Sequence, residues 1–204
     1  MTIVLPLLLA VLFIGVFAST FNEGLWSNAL TLFNMITAAL LAMNFFEPVA
    51  KMFDKQMPSG TNYWDIVALW LIFVLSFGVM RTATDFASRV RLKFFKPVDV
   101  AGSVFFSLWI GCVTVCFTLA SLHTAPLSRN FMSFRPEDSA FFGYLAPDRS
   151  WLAFTQSMSK GTFSRMRSDT DPPEIFFDPK GEFMIKYASR REAYEKASAE
   201  ATSE

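Results

Sequence analysis

Apolar residues fall into four long runs in the first part of the chain. Ile3–Ser19 carries no charge, Leu25–Phe46 is rich in Leu, Ala, Met and Phe, and Trp64–Met80 and Val100–Leu122 complete the set. Each run approaches or exceeds the roughly 17–25 residues that carry a helix across a hydrocarbon core about 30 Å thick. Lipid offers no partners to backbone N–H and C=O groups, so the spacing predicts helices rather than strands. The first and fourth runs are apolar all round and present no polar face to water, which argues against a large soluble bundle. The predicted fold class is therefore all-α: a polytopic membrane protein with four transmembrane helices. Phe17-Ala18-Ser19 gives a cleavage-like pattern, but no Lys or Arg precedes the first run, which is read as a span rather than a signal peptide.

Charge divides the chain into two unlike parts. Residues 1–125 hold 7 Lys/Arg and 6 Asp/Glu, whereas residues 126–204 hold 11 and 12. An ordinary soluble domain is about one-quarter charged, so only the second part resembles one. The division predicts a transmembrane domain over 1–125 and an extramembrane tail over 126–204. Formal net charge is zero, so no general attraction to nucleic acid or anionic lipid is expected. Two Cys and one His exclude a zinc cluster and a disulfide framework.

The connection after the third run carries Arg81, Arg89, Arg91, Lys93 and Lys96. The positive-inside rule places it in the cytoplasm, and four spans then put both termini outside. Lys51, Lys55, Arg129 and Arg135 on the opposite side make the bias only 5 to 4.

Polar residues inside the spans carry the functional signal. Ser103, Ser107, Gly111, Thr114, Thr118 and Ser121 follow one another at steps of three and four, on one face of the fourth helix. Small residues at this spacing admit a second backbone, and hydroxyls bond across the contact. The first reading is helix packing; the second is a path lined by hydroxyls. The second span carries Asn28, Thr31, Asn34, Thr37 and Asn44. Asn34 and Thr37 lie deepest and are expected to face the bundle interior, toward that stripe. Arg81, Asp85 and Arg89 share a face if the third helix continues, giving Asp85 an Arg partner near the membrane surface. Asp65 is placed to cap the third helix. Cys112 and Cys116 read as inert small hydrophobes, and His123 lacks a nearby thiol or second His.

Two stretches carry a family likeness. Asn22-Glu23-Gly24-Leu25-Trp26-Ser27-Asn28-Ala29-Leu30 opens the second span, and Asp99 with Ser103, Ser107 and Gly111 opens the fourth. Their order resembles the CvpA (colicin V production) family of bacterial inner-membrane proteins. Gly24, Ala29, Leu30, Asp99 and Gly111 match that family's pattern. Glu23, Ser27 and Asn28 stand where it has Arg, Arg and Glu, and Ser103 and Ser107 replace Gly. The resemblance covers about residues 1–125. It implies no catalytic residues, a role in colicin production or export and envelope stress tolerance, and a fourth span ending outside the cell.

The tail begins at Pro126. Phe131, Phe134, Phe141, Phe142, Tyr144, Trp151, Leu152 and Phe154 form an aromatic cluster expected at the bundle mouth or the membrane interface. Ser150–Ser159 is expected as a short helix with Ser150 as N-cap, 164–173 as linker, and Phe183–Ala201 as a helix with a solvated charged face. The tail has no His and no Gly-x-Ser-x-Gly pattern, which excludes a Ser-His-Asp protease there, and no phosphate-binding glycine loop occurs. The sequence reading is a non-catalytic assembly or scaffold protein without cofactor. Its partners are the lipid bilayer and a second copy or an envelope protein, with no small-molecule ligand identified. The alternative is a small oligomeric transporter or channel component with its path between the second and fourth helices.

Overall fold

The computed structural model describes residues 4–88, 94–127, 146–160 and 177–203. The described residues form helices only: α1 (Val4–Thr20), α2 (Leu25–Gln56), α3 (Trp64–Ala87), α4 (Lys96–Leu122), α5 (Pro147–Lys160) and α6 (Phe183–Ser203), with one 3-10 turn at Pro58–Gly60.

Three of these, α2, α3 and α4, are long and apolar enough to cross a membrane. The first apolar run forms α1, but its 17 residues extend only about 25 Å. Two helices outrun their apolar cores. α2 continues through Pro48 to Gln56, and α3 continues past Met80 to Ala87, which puts Arg81 and Asp85 on helix. Both extensions carry charges at the bundle ends, Glu47, Lys51, Asp54 and Lys55 on α2 and Arg81 and Asp85 on α3.

The helices alternate in direction. One end of the bundle gathers the α1–α2 turn, the end of α3 and the start of α4. The opposite end gathers the start of α3, the end of α4, and α5 and α6. α2 is central: Ala38, Ala39, Ala42, Met43 and Phe46 are buried almost completely. Small alanines on that face let Ala68 and Leu69 of α3 approach closely. α1 packs on α4 through Leu5, Leu9, Val115 and Leu119. Val11, Ile14, Val74, Leu75, Val79, Phe105 and Trp109 point outward, a surface that suits lipid contact rather than water.

The described part of the tail shares this core. Trp151 of α5 meets Phe117 of α4 edge-on at 6.2 Å, and Phe117 packs tilted against Phe73 of α3 at 4.6 Å. Phe183 and Tyr187 of α6 each lie 6.4 Å from Phe46. The aromatic residues expected at 131–144 lie outside the described residues, as does the linker at 164–173. α5 starts three residues before the expected cap. Pro147 opens it, as Pro favours a first helical turn, and Ser150 bonds back to the Ala146 carbonyl. On α6, Lys186, Arg190 and Lys196 are exposed, as a solvated face requires, while Arg191 is buried and two of the exposed cations also pair with the bundle. Lys186 meets Glu47 at 2.6 Å, and Arg190 pairs with Asp65. Asp65 is thereby an ion-pair partner and makes no cap bond to the start of α3.

Candidate functional site

The polar residues of the spans meet at two places. The first lies where α1, α2 and α4 converge. Asn28 is fully buried, and its amide nitrogen lies 2.9 Å from Ser103 Oγ, 3.0 Å from Ser107 Oγ and 3.0 Å from the Thr20 carbonyl. Ser103 Oγ donates in turn to the Phe21 carbonyl at 2.6 Å. One amide thus ties the end of α1 to the small face of α4. Leaving such a group unpaired in lipid would cost several kcal/mol (on the order of 4–8 on the strictest scale).

The rest of the stripe serves different neighbours. A Cβ on Gly111 would sit 2.8 Å from the Phe13 ring, so its contact is with α1. Gly102 similarly admits Leu25. Thr114 Oγ bonds to its own Ile110 carbonyl at 2.8 Å and reaches Met35 Sδ at 3.5 Å. Ser121 accepts from the Trp70 indole at 3.2 Å. Asn34 is buried but turns to Thr84 of α3 at 2.9 Å, and Thr37 bonds to Phe33 of its own helix. Neither reaches the stripe. Asn34 lies six residues beyond Asn28 and Thr37 nine, so they point about 240° and 180° round the helix from it.

Just beyond Asn28, Gly24 and Asp99 come together. Asp99 Oδ1 accepts the Leu25 amide at 2.9 Å. Gly24 sits at φ 88°, and a Cβ there would lie 3.5 Å from the same oxygen. Arg81 closes this end. Its guanidinium contacts Asp85 at 3.1 Å and Glu23 at 3.2 Å, and bonds Thr31 Oγ and Ser27 Oγ. Arg89, the other candidate partner of Asp85, lies outside the described residues.

At the opposite end, His123 and Asp148 form a buried pair, Nε2 to Oδ2 at 2.9 Å. Burial alone would raise the Asp148 carboxyl, but the hydrogen bond and charge of His123 outweigh it and hold the group below its usual range. Ser159 Oγ donates to Asn44 Oδ1 at 2.9 Å, a second polar tie between α5 and the spans. Sequence spacing gave no sign of the His123 partner, which lies 25 residues away across a segment of irregular composition. Among the described residues no group of three or more His, Cys, Asp or Glu side chains gathers to hold a metal ion.

The sequence matches the Colicin V production protein family over residues 5–149. The chain belongs to this family. Comparison with curated proteins and with solved structures returns no match. The family match runs past residue 125, takes in α1–α4 and ends in the first turn of α5, so it includes Asp148 as well as His123. The residues that open α2 are engaged in the structure. Glu23 and Ser27 bond Arg81, and Asn28 bonds Ser103 and Ser107. The protein is thus a membrane protein of the Colicin V production family in which Glu23, Ser27 and Asn28 make contacts across helices.

Proposed function

We propose that this protein is a non-catalytic assembly or scaffold component of a bacterial inner membrane, supporting envelope homeostasis or toxin production and export. α1 crosses the membrane as a fourth, short span held against α4, and the α5–α6 end is extracytoplasmic, where it meets a second copy or an envelope partner. One observation carries this reading. Two buried hydroxyls of the stripe, Ser103 and Ser107, are engaged by Asn28, so they serve packing rather than a path for solute. Family membership supports the toxin-production and export setting.

The test pairs assembly with function in a bacterial host lacking the native gene. Gly111→Leu and Ser107→Leu are compared with Ser107→Ala for folded protein recovered from membranes and for tolerance of envelope stress. Parallel loss of both properties in the Leu variants, with Ser107→Ala near wild type in function, is expected. Full assembly combined with lost function and altered solute flux would favour the path between α2 and α4 and overturn the scaffold reading.

A further inference from the structure

The face of α5 that packs on the spans carries a polar group on every turn. Asp148 is 1% exposed, Thr155 and Ser159 are 0% exposed, and Trp151 is 5% exposed. Steps of three, four and four place these side chains on one side of the helix. The outer two are satisfied. Asp148 spends its carboxylate on His123 and on the backbone amides of Asp148 and Arg149, and Ser159 Oγ donates to Asn44 Oδ1 at 2.9 Å. The middle two are not. The Trp151 indole Nε1 and the Thr155 Oγ are buried and have no hydrogen-bond partner among the described residues.

The wall of α4 explains why. Phe117 and His123 meet α5 through Trp151 and Asp148. Ala120 lies between them on the same side of α4 and is buried completely. Its methyl group takes up little room and offers neither donor nor acceptor. The Trp151 ring is held edge-on by Phe117 at 6.2 Å and tilted against Phe154 at 5.5 Å, which fixes the direction of its N–H. A buried polar group left unpaired carries its full desolvation penalty, and buried groups in native proteins find a protein or water partner. An indole N–H can only donate, whereas a hydroxyl both donates and accepts. Side chains four apart on a helix are neighbours. One water can therefore accept from the indole and exchange a hydrogen bond with the hydroxyl one turn on.

We infer that an ordered water is bound in the contact between α5 and the spans, accepting from Trp151 Nε1 and hydrogen-bonded to Thr155 Oγ. It completes a polar ladder that runs along α5 from His123–Asp148 to Ser159–Asn44. The ladder sets the register of α5, because sliding the helix by one residue turns these groups away from their partners together. The inference does not rest on the scaffold reading.

The test is a crystal structure of the full chain at a resolution that shows ordered water, together with thermal unfolding in detergent of Trp151→Phe, Thr155→Val and the double variant. One water within about 2.7–3.2 Å of both Trp151 Nε1 and Thr155 Oγ is expected. Each single variant is expected to lower Tm. The double variant should lose less than the sum of the two, since removing both groups leaves neither unpaired. A direct bond between the two side chains, or separate partners for each, would overturn the inference. Additive losses in Tm would overturn it as well. The crystal density decides alone if a variant fails to fold.

Discussion

Asp99 caps a helix that begins 74 residues before it: its Oδ1 accepts the Leu25 amide at 2.9 Å, while Gly24 leaves room beside the same carboxylate. The start of α2 otherwise has no side-chain cap. An acidic side chain at a helix N-terminus satisfies an orphan donor and complements the helix dipole. Asp99→Ala is expected to lower stability by about 1 kcal/mol, measured by thermal unfolding in detergent. Gly24→Ala is expected to cost about 1–3 kcal/mol, because φ 88° with ψ 162° is a conformation that L-residues resist.

Gly111 sets the approach of α1 to α4. Gly111→Ala is expected to destabilise by roughly 1–3 kcal/mol through collision with Phe13. Phe13→Ala in the same chain should recover part of the loss. Tm values of the two single variants and the double variant check this coupling. Additive losses would place the Gly111 effect elsewhere.

Arg81 joins α3 to the α1–α2 turn, whereas Asp85 is more than half exposed. Asp85→Asn is therefore expected to cost under about 1 kcal/mol. Arg81→Ala removes bonds to Glu23, Ser27 and Thr31 as well, and is expected to cost about 1.5–3 kcal/mol. Unfolding at low and high salt separates the two, since the exposed pair with Asp85 is the more readily screened.

Much of the fold was legible because hydropathy dictates it. Four apolar runs became four helices, and the three- and four-residue steps placed Ser103, Ser107 and Gly111 on one helix face. The identity of their partners was not legible. α2 touches α3 and α4 at once, so Asn28 and Asn34, both buried polar residues of one helix, serve different neighbours. Depth in the span gave no guide to rotation about the axis. The ends were still less legible. Glu23 with Arg81 and His123 with Asp148 are tertiary pairings between residues that no local period relates. The charges of α6 are solvated, as its sparse apolar residues suggest, but docking of Phe183 and Tyr187 on Phe46 also brings Lys186 and Arg190 to Glu47 and Asp65.

Asp148 gives the docking of α5 a pH dependence. His123 holds the carboxyl below its ordinary range despite burial. The contribution is then fully present above the unfolded value of about 3.9 and is lost as pH falls through the lower folded value. Trp151 fluorescence, which reports the contact with Phe117, should change in that acidic window. Asp148→Asn should remove the Asp148 part of the dependence and lower stability by about 1.5–3 kcal/mol at neutral pH.

The engagement of the hydroxyl stripe by Asn28 is tested most directly by a double-mutant cycle on purified protein. Unfolding free energies of Asn28→Ala, Ser107→Ala and the double variant are compared with wild type. A coupling of roughly 0.5–1.7 kcal/mol between the two sites is expected for one interhelical hydrogen bond in a membrane protein. Zero coupling, with each single variant as stable as wild type, would contradict the packing role and return Ser107 to the candidates for a solvated path.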